Sequence, residues 1–249
     1  MAARAAEWGA ALFEGVWGAL WPARCPLCQE PLPAAGAAGF CLHCSETIKP
    51  INEPVCRVCG RALTGISDPP GQVCGFCEHR PPEFDLARSY GFYDGALGEA
   101  IRAFKFRGQR SLLSAMTGLM REAFEKQLMD VGLDAVVPVP LHAARLRERG
   151  FNQAVDLARP VARRGGLPLL HHALLRIRPT EPQYGLTLNQ RRENVKGAFS
   201  ITRHQLVKDK NLLVVDDILT TGATAIECAR ILKKAGAGKV MVLTLARTA

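Results

Sequence analysis

Apolar residues along the chain follow two rhythms. From residue 84 onward, short aliphatic runs bounded by Gly and Pro alternate with stretches where apolar side chains recur at helical spacing. The runs 86–93 (LARSYGFY), 133–140 (LDAVVPVP), 212–216 (LLVVD) and 239–246 (KVMVLTLA) read as strands, the second ended by its prolines. A short further strand is expected at 167–171 (LPLLH). The segments 96–106, 111–129, about 151–163 and 222–236 read as helices; Gly132 stops the second and AGAG the last. Strands alternating with crossover helices predict an α/β domain with a mainly parallel sheet.

Ahead of residue 84 the rhythm changes. In AAEWGAALFEGVWGALW the side chains of Trp8, Phe13, Trp17, Leu20 and Trp21 recur at helical spacing. Residues 1–22 are therefore expected to form an amphipathic helix that packs on the protein or on a partner. Glu7 and Glu14 keep it short of the ~18 uninterrupted apolar residues of a membrane span. Only Arg4 precedes it, which argues against an export signal and for a cytoplasmic protein. Residues 23–83 are poor in aliphatics and rich in cysteine, and PPEF (81–84) reads as the linker into a domain over 84–249.

Composition adds a core and a charge. Apolar residues make up 48% of the 249 residues, enough for a soluble globular protein. The formal charge is +9, and it is uneven: residues 1–80 hold six basic and seven acidic side chains, while 145–196 hold eleven and four. A local excess of that kind favours a phosphate-bearing partner, either a small polyphosphate or a nucleic acid.

Eight of the nine cysteines form four C-x-x-C pairs: Cys25/Cys28, Cys41/Cys44, Cys56/Cys59 and Cys74/Cys77. Each pair sets two thiolates on one turn, and two turns joined by a loop of this length complete a four-sulfur zinc site. Four pairs make two structural zinc sites. Sequential pairing is the simpler topology, and an interleaved one is the alternative. His43 and His79 are expected to be bystanders, and Cys228 a small buried residue within a helix. So small a region buries little surface, so its metal ions would supply its folding energy.

The stretch LLVVDDILTTGAT (212–224) carries the chemistry. A strand runs straight into Asp216 and Asp217, and TTGAT then opens the next helix. In parallel sheets ligands sit at the carboxyl ends of strands, and a helix N-terminus offers backbone N–H groups to an anion. The pattern is not a nucleotide P-loop, since no lysine follows the glycine. One phosphate with two carboxylates beside it points to a phosphorylated sugar.

The same stretch resembles the 5-phosphoribosyl pyrophosphate (PRPP) motif of type I phosphoribosyltransferases. VPVPLHAARLRERGFNQA (137–154) and TEPQYGLTLNQRRENVKGAF (180–199) resemble two signatures of the ComF family, which joins a double zinc ribbon to such a domain. The resemblance implies a type I phosphoribosyltransferase-like sheet flanked by helices, preceded by the small ribbon unit. It implies that Asp216 and Asp217 bind the ribose 2′ and 3′ hydroxyls, and that Ile218, Leu219, Thr220, Thr221, Gly222, Ala223 and Thr224 form the loop around the 5′-phosphate. Arg145 and Arg149 would clamp the pyrophosphate, and Lys105 would reach it from the other side. The polar segment 178–198 would be a flap over the site, with Arg191 as a catalytic candidate beside Asp216 and Asp217 and with Gln183 orienting the ligand. Mg2+ would enter with PRPP.

Family membership further implies a role in natural transformation, alongside the proteins that take up and handle single-stranded DNA. Direct contact with that DNA is a lesser expectation, because the basic segment offers only Phe151 and Tyr184 as stacking platforms. The alternatives are a salvage transferase with an unknown acceptor and a zinc-ribbon nucleic-acid binder. The ribbons' lack of basic excess counts against the last. Nothing in the ribbon sequence resembles a pocket for a base.

Overall fold

The four longest apolar runs become one sheet. The computed structural model describes residues 23–32, 39–52, 54–63, 72–181 and 185–249; the helix expected over 1–22 lies outside them. In chain order, α1 (Leu42–Thr47) and α2 (Gly75–His79) belong to the ribbons, followed by β1 (Leu86–Phe92), α3 (Gly95–Arg107) and α4 (Leu113–Gln127). Then come β2 (Ala135–Pro138), α5 (Ala143–Arg149), α6 (Gln153–Gly165), β3 (Leu174–Arg176), α7 (Leu188–Val195) and β4 (Phe199–Ile201). The chain continues through β5 (Leu212–Leu219), α8 (Ala223–Lys234) and β6 (Val240–Arg247).

Strands β1, β6, β5 and β2 lie side by side in that order, every pair parallel. The central β5 and β6 are buried along most of their length, as their unbroken aliphatic runs require. Helices α3, α4 and α6 cover one face, where Leu213, Val215 and Leu243 meet Phe104, Met116, Phe124 and Leu157. Helix α8 and the antiparallel β3–β4 pair cover the other, where Leu212 and Val214 meet Cys228, Leu232, Leu174 and Phe199. Cys228 is fully buried, as expected of a small apolar residue.

Both sheet edges are occupied. The ribbon linker pairs antiparallel with β1: Ile51 N–H donates to the Tyr90 carbonyl (2.9 Å) and Phe92 N–H to the Lys49 carbonyl (3.0 Å). On the far edge, Val136 exchanges backbone hydrogen bonds with Pro168 and Leu170. The strand expected at 167–171 is thus a single bridge, Val136 to Leu169, whereas β3 and β4 pair with each other instead.

Candidate functional site

The cysteine turns converge as two clusters. The sulfurs of Cys25, Cys28, Cys41 and Cys44 all lie within 4.8 Å of one another, and so do those of Cys56, Cys59, Cys74 and Cys77. The pairing is therefore sequential, and neither His43 nor His79 joins a cluster. Four convergent sulfurs fit a tetrahedral zinc ion in each ribbon. Burial works against ionising Cys25, but the amides of Cys28, Cys41 and Leu27 outweigh it and bring the thiol down to about 6. At Cys56 burial is likewise outweighed, by the amides of Cys59, Cys74 and Val58, and the thiol falls to about 6. Cys44 and Cys77 are pushed up, by burial first and neighbouring sulfurs second. Each cluster is thus a set of mostly buried, crowded sulfurs that cannot all ionise unaided, which a divalent cation relieves.

The second constellation lies at the carboxyl edge of the sheet. Strand β2 stops at Pro138, opposite Val215, so β5 continues past it from Asp216 to Leu219. The acids are therefore internal to β5 rather than beyond its end. Alternation along the strand sends them to opposite faces. Asp217, 6% exposed, shares the face of Val215 and receives Lys105 Nζ from α3 at 2.7 Å. Asp216 shares the face of Val214 and lies beside Thr244 of β6. Burial, then the charge of Asp217, raises the Asp216 carboxyl to about 7, with Lys105 only partly offsetting them. Gly222 turns the chain at φ +76°, a left-handed conformation that suits glycine, and caps α8. Asp216, Ile218, Thr220, Ala223 and Thr224 line a hollow of about 260 Å³ at that helix start.

Basic side chains ring this edge. Helix α5 presents Arg145 and Arg149; burial lowers the Arg149 pKa, and the charge of Asp217 is the first force opposing that. Arg149 also lies 5.8 Å from the Phe106 ring centre. Arg145 is exposed and pairs with Glu148 at 3.1 Å. The expected residues Asp216, Asp217, Lys105, Arg149 and the loop 218–224 are thus brought together. Arg191 is not: its Nε donates to the Leu186 carbonyl (3.0 Å) within the flap. Gln183 lies outside the described residues.

The flap is more structured than its polarity suggests. Helix α7 opens with a capping box, the Thr187 hydroxyl accepting from Gln190 N–H while the Gln190 amide accepts from Thr187 N–H. Asn194 clamps Glu181 through both backbone groups (3.1 and 2.9 Å), and Arg178 donates to the carbonyls of Asn194 and Lys196. Buried Glu227 of α8 anchors the flap's end by accepting from Gly197 N–H at 2.8 Å.

Two further buried donors, one of them acting on Asp216, carry no clear signal of a role in the sequence. Arg176 on β3 lies over the Phe199 ring and donates to the Thr180 hydroxyl. Its Nε is buried without a partner among the described residues, and its charge acts on Asp216. Gln153 is 2% exposed, and its Nε2 also lacks a partner among the described residues. Gln153 stands in the quoted RGFNQA stretch, but Arg176 sits in a three-residue strand with no periodic cue.

Two thiolate clusters ahead of a parallel sheet with this acidic edge define a zinc ribbon joined to a phosphoribosyltransferase-type domain. Residues 16–78 match the double zinc ribbon domain and residues 160–249 the phosphoribosyl transferase domain. Competence protein F of Haemophilus influenzae is 33% identical over 230 residues, covering 90% of this chain and 96% of that protein. DNA utilization protein YhgH of Escherichia coli (strain K12) is 33% identical, covering 91% and 98%. Competence protein ComFC of Bacillus subtilis (strain 168) is 31% identical, covering 84% of each. The chain belongs to the ComF family. Among the described residues, no helix is long and apolar enough to cross a membrane.

Proposed function

We propose that this chain binds PRPP with Mg2+ at the carboxyl edge of its sheet and that it serves natural transformation, in the cytoplasm, beside the proteins that handle incoming DNA. The relatives' names, Competence protein F and DNA utilization protein, support the role. One observation carries the ligand: β5 outruns β2 by Asp216 to Leu219, so both acids stand beyond the neighbouring strand just ahead of the Gly222 turn that starts α8.

In this reading Asp216 and Asp217 accept hydrogen bonds from the ribose hydroxyls. The Thr220–Thr224 loop holds the 5′-phosphate by backbone N–H groups and hydroxyls. A ribose hydroxyl on Asp217 would release Lys105 toward the pyrophosphate, where Arg145 and Arg149 add charge-assisted hydrogen bonds. The orphaned Nε of Arg176 is a further donor for a phosphate oxygen. Mg2+ would take most of its ligands from the bound oxygens and water. Arg191 and Gln183 would act from the flap. The same arrangement supports ribosyl transfer, by stabilising the pyrophosphate as its bond to C1′ lengthens.

Calorimetry with PRPP and Mg2+ tests the ligand. The wild-type chain should bind, and the Asp216→Asn/Asp217→Asn double variant should weaken binding at least ~100-fold, about 2.7 kcal/mol. Equal binding by both would overturn the reading. Deleting the gene and scoring uptake of a marked DNA fragment tests the role.

A further inference from the structure

A second hollow adjoins the first. It is an open cleft enclosing about 520 Å³, part of it solvent-filled groove. One wall is the second ribbon: Arg61, Phe76 on α2, and Phe84 beyond it. The rest of the lining is Leu219 to Gly222 with Ile226 of α8, Arg247 at the end of β6, and Leu188 of the flap. The cleft and the Asp216 hollow share Leu219, Thr220 and Gly222, so occupants of the two would meet across Thr220.

Its lining selects a ligand class. Phe76 is 37% exposed and Leu188 55%, large apolar side chains left open to solvent beside Phe84 and Ile226. Flat apolar surface of this kind suits an aromatic ring. The lining holds no carboxylate but two guanidinium groups, Arg61 and Arg247. Arg247 is spent on structure: it is 3% exposed and donates to the carbonyls of Cys59 and Thr248. Arg61 is exposed, and no carboxylate lies within ion-pair reach of it among the described residues. Thr220 and Thr221 add hydroxyl-bearing side chains to the lining. The flap touches the same wall, since Arg192 lies 5.6 Å from the Phe76 ring centre.

We propose that this cleft binds a flat aromatic ring bearing an acidic substituent, the ring against Phe76 and Phe84 and the acid on Arg61, so that the second zinc ribbon serves as the lid of an acceptor site. The acceptor role rests on the PRPP reading; the ring site does not. In transfer, a ring-nitrogen lone pair would form the bond to C1′ of the sugar. The bond from C1′ to the pyrophosphate oxygen would break, its electron pair leaving with pyrophosphate, and any proton on that nitrogen would pass to water.

Saturation-transfer NMR on the zinc-loaded chain, with nicotinate, orotate and uncharged adenine as separate probes, tests the site without PRPP. At least one acidic ring should receive transfer and adenine far less. The Phe76→Ala variant should weaken that binding about tenfold and Arg61→Gln about fivefold, while both keep two zinc ions per chain. Transfer to neither acid, equal transfer to adenine, or unchanged affinity in both variants would overturn the proposal. Calorimetry with PRPP and Mg2+ separates the two readings. PRPP binding without ring binding removes the cleft alone, whereas ring binding without PRPP binding removes the sugar site and leaves the cleft as a binding site.

Discussion

The first ribbon buries Cys25, Cys41 and Cys44 in the same cluster as Phe40, Phe104, Leu112 and Met116, beneath α3 and α4. The second buries Cys56, Cys59 and Cys77 with Phe84, Leu219 and Ala223, against the loop that opens α8. Their sulfur chemistry is the same, but their neighbours differ. One completes the core on the helical face of the sheet. The other reaches the edge where Asp216 emerges, and its peptide carbonyl at Cys59 is held by Arg247 from the last strand. A metal ribbon can therefore complete a core or line a surface cleft, depending on what it packs against.

The comparison is broken most sharply by removing one metal at a time. Cys25→Ser/Cys28→Ser and Cys56→Ser/Cys59→Ser should each leave about one zinc ion per chain by metal analysis. The first pair should lower Tm by roughly 10 °C or more, since it uncouples Phe40 from the α3–α4 core. The second should lose aromatic-acid binding more completely than it loses Tm. Equal effects of the two pairs on both readouts would erase the distinction.

A smaller effect is expected at Gly60. It has φ +68°, and a methyl group there would sit 2.5 Å from the Ala87 carbonyl oxygen of β1. Ala87 N–H already donates to the Val58 carbonyl at 2.7 Å, so ribbon and strand are in direct contact. Gly60→Ala should cost about 3 kcal/mol by denaturant titration without lowering the zinc count. Loss of zinc instead would mean that the turn serves the metal rather than the docking.

The smallest expected effect distinguishes the two acids. The Asp216 carboxyl is raised to about 7, above its ordinary value, so the folded chain holds a proton that the unfolded chain has shed. This group's contribution to stability therefore falls as pH climbs from about 4 to 7. Asp216→Asn should raise Tm at pH 8 by roughly 3 °C, with a lesser gain at pH 5. Asp217→Asn should give no such gain, because it strands the Lys105 ammonium beside it. Thermal melts at the two pH values check both.

Much of this was legible in residue spacing. The C-x-x-C pairs announce the two clusters, and the aliphatic runs announce the sheet, because buried parallel strands need continuous apolar stretches. The site's loop was legible for the same reason, as a break in such a run. Helix α5 was not: it buries none of its residues, so it leaves no apolar period to read. Strands β3 and β4 are three residues each, too short to show alternation. Helix α7 did carry a signal, the Thr187–Gln190 capping box, obscured by the polarity around it. The cleft was invisible because Arg61, Phe76, Leu188 and Arg247 converge only after the second ribbon docks on β1.

That docking bears on what happens when the metals are lost. Residues 49–51 and Val58 occupy hydrogen-bonding groups along β1 that would otherwise face outward. Oxidised or chelated ribbons would uncover the amide of Ala87 and the carbonyl of Tyr90 on an unshielded strand, the geometry through which separate molecules add to one another's sheets. Losing zinc would thus turn a covered strand edge into one open to pairing.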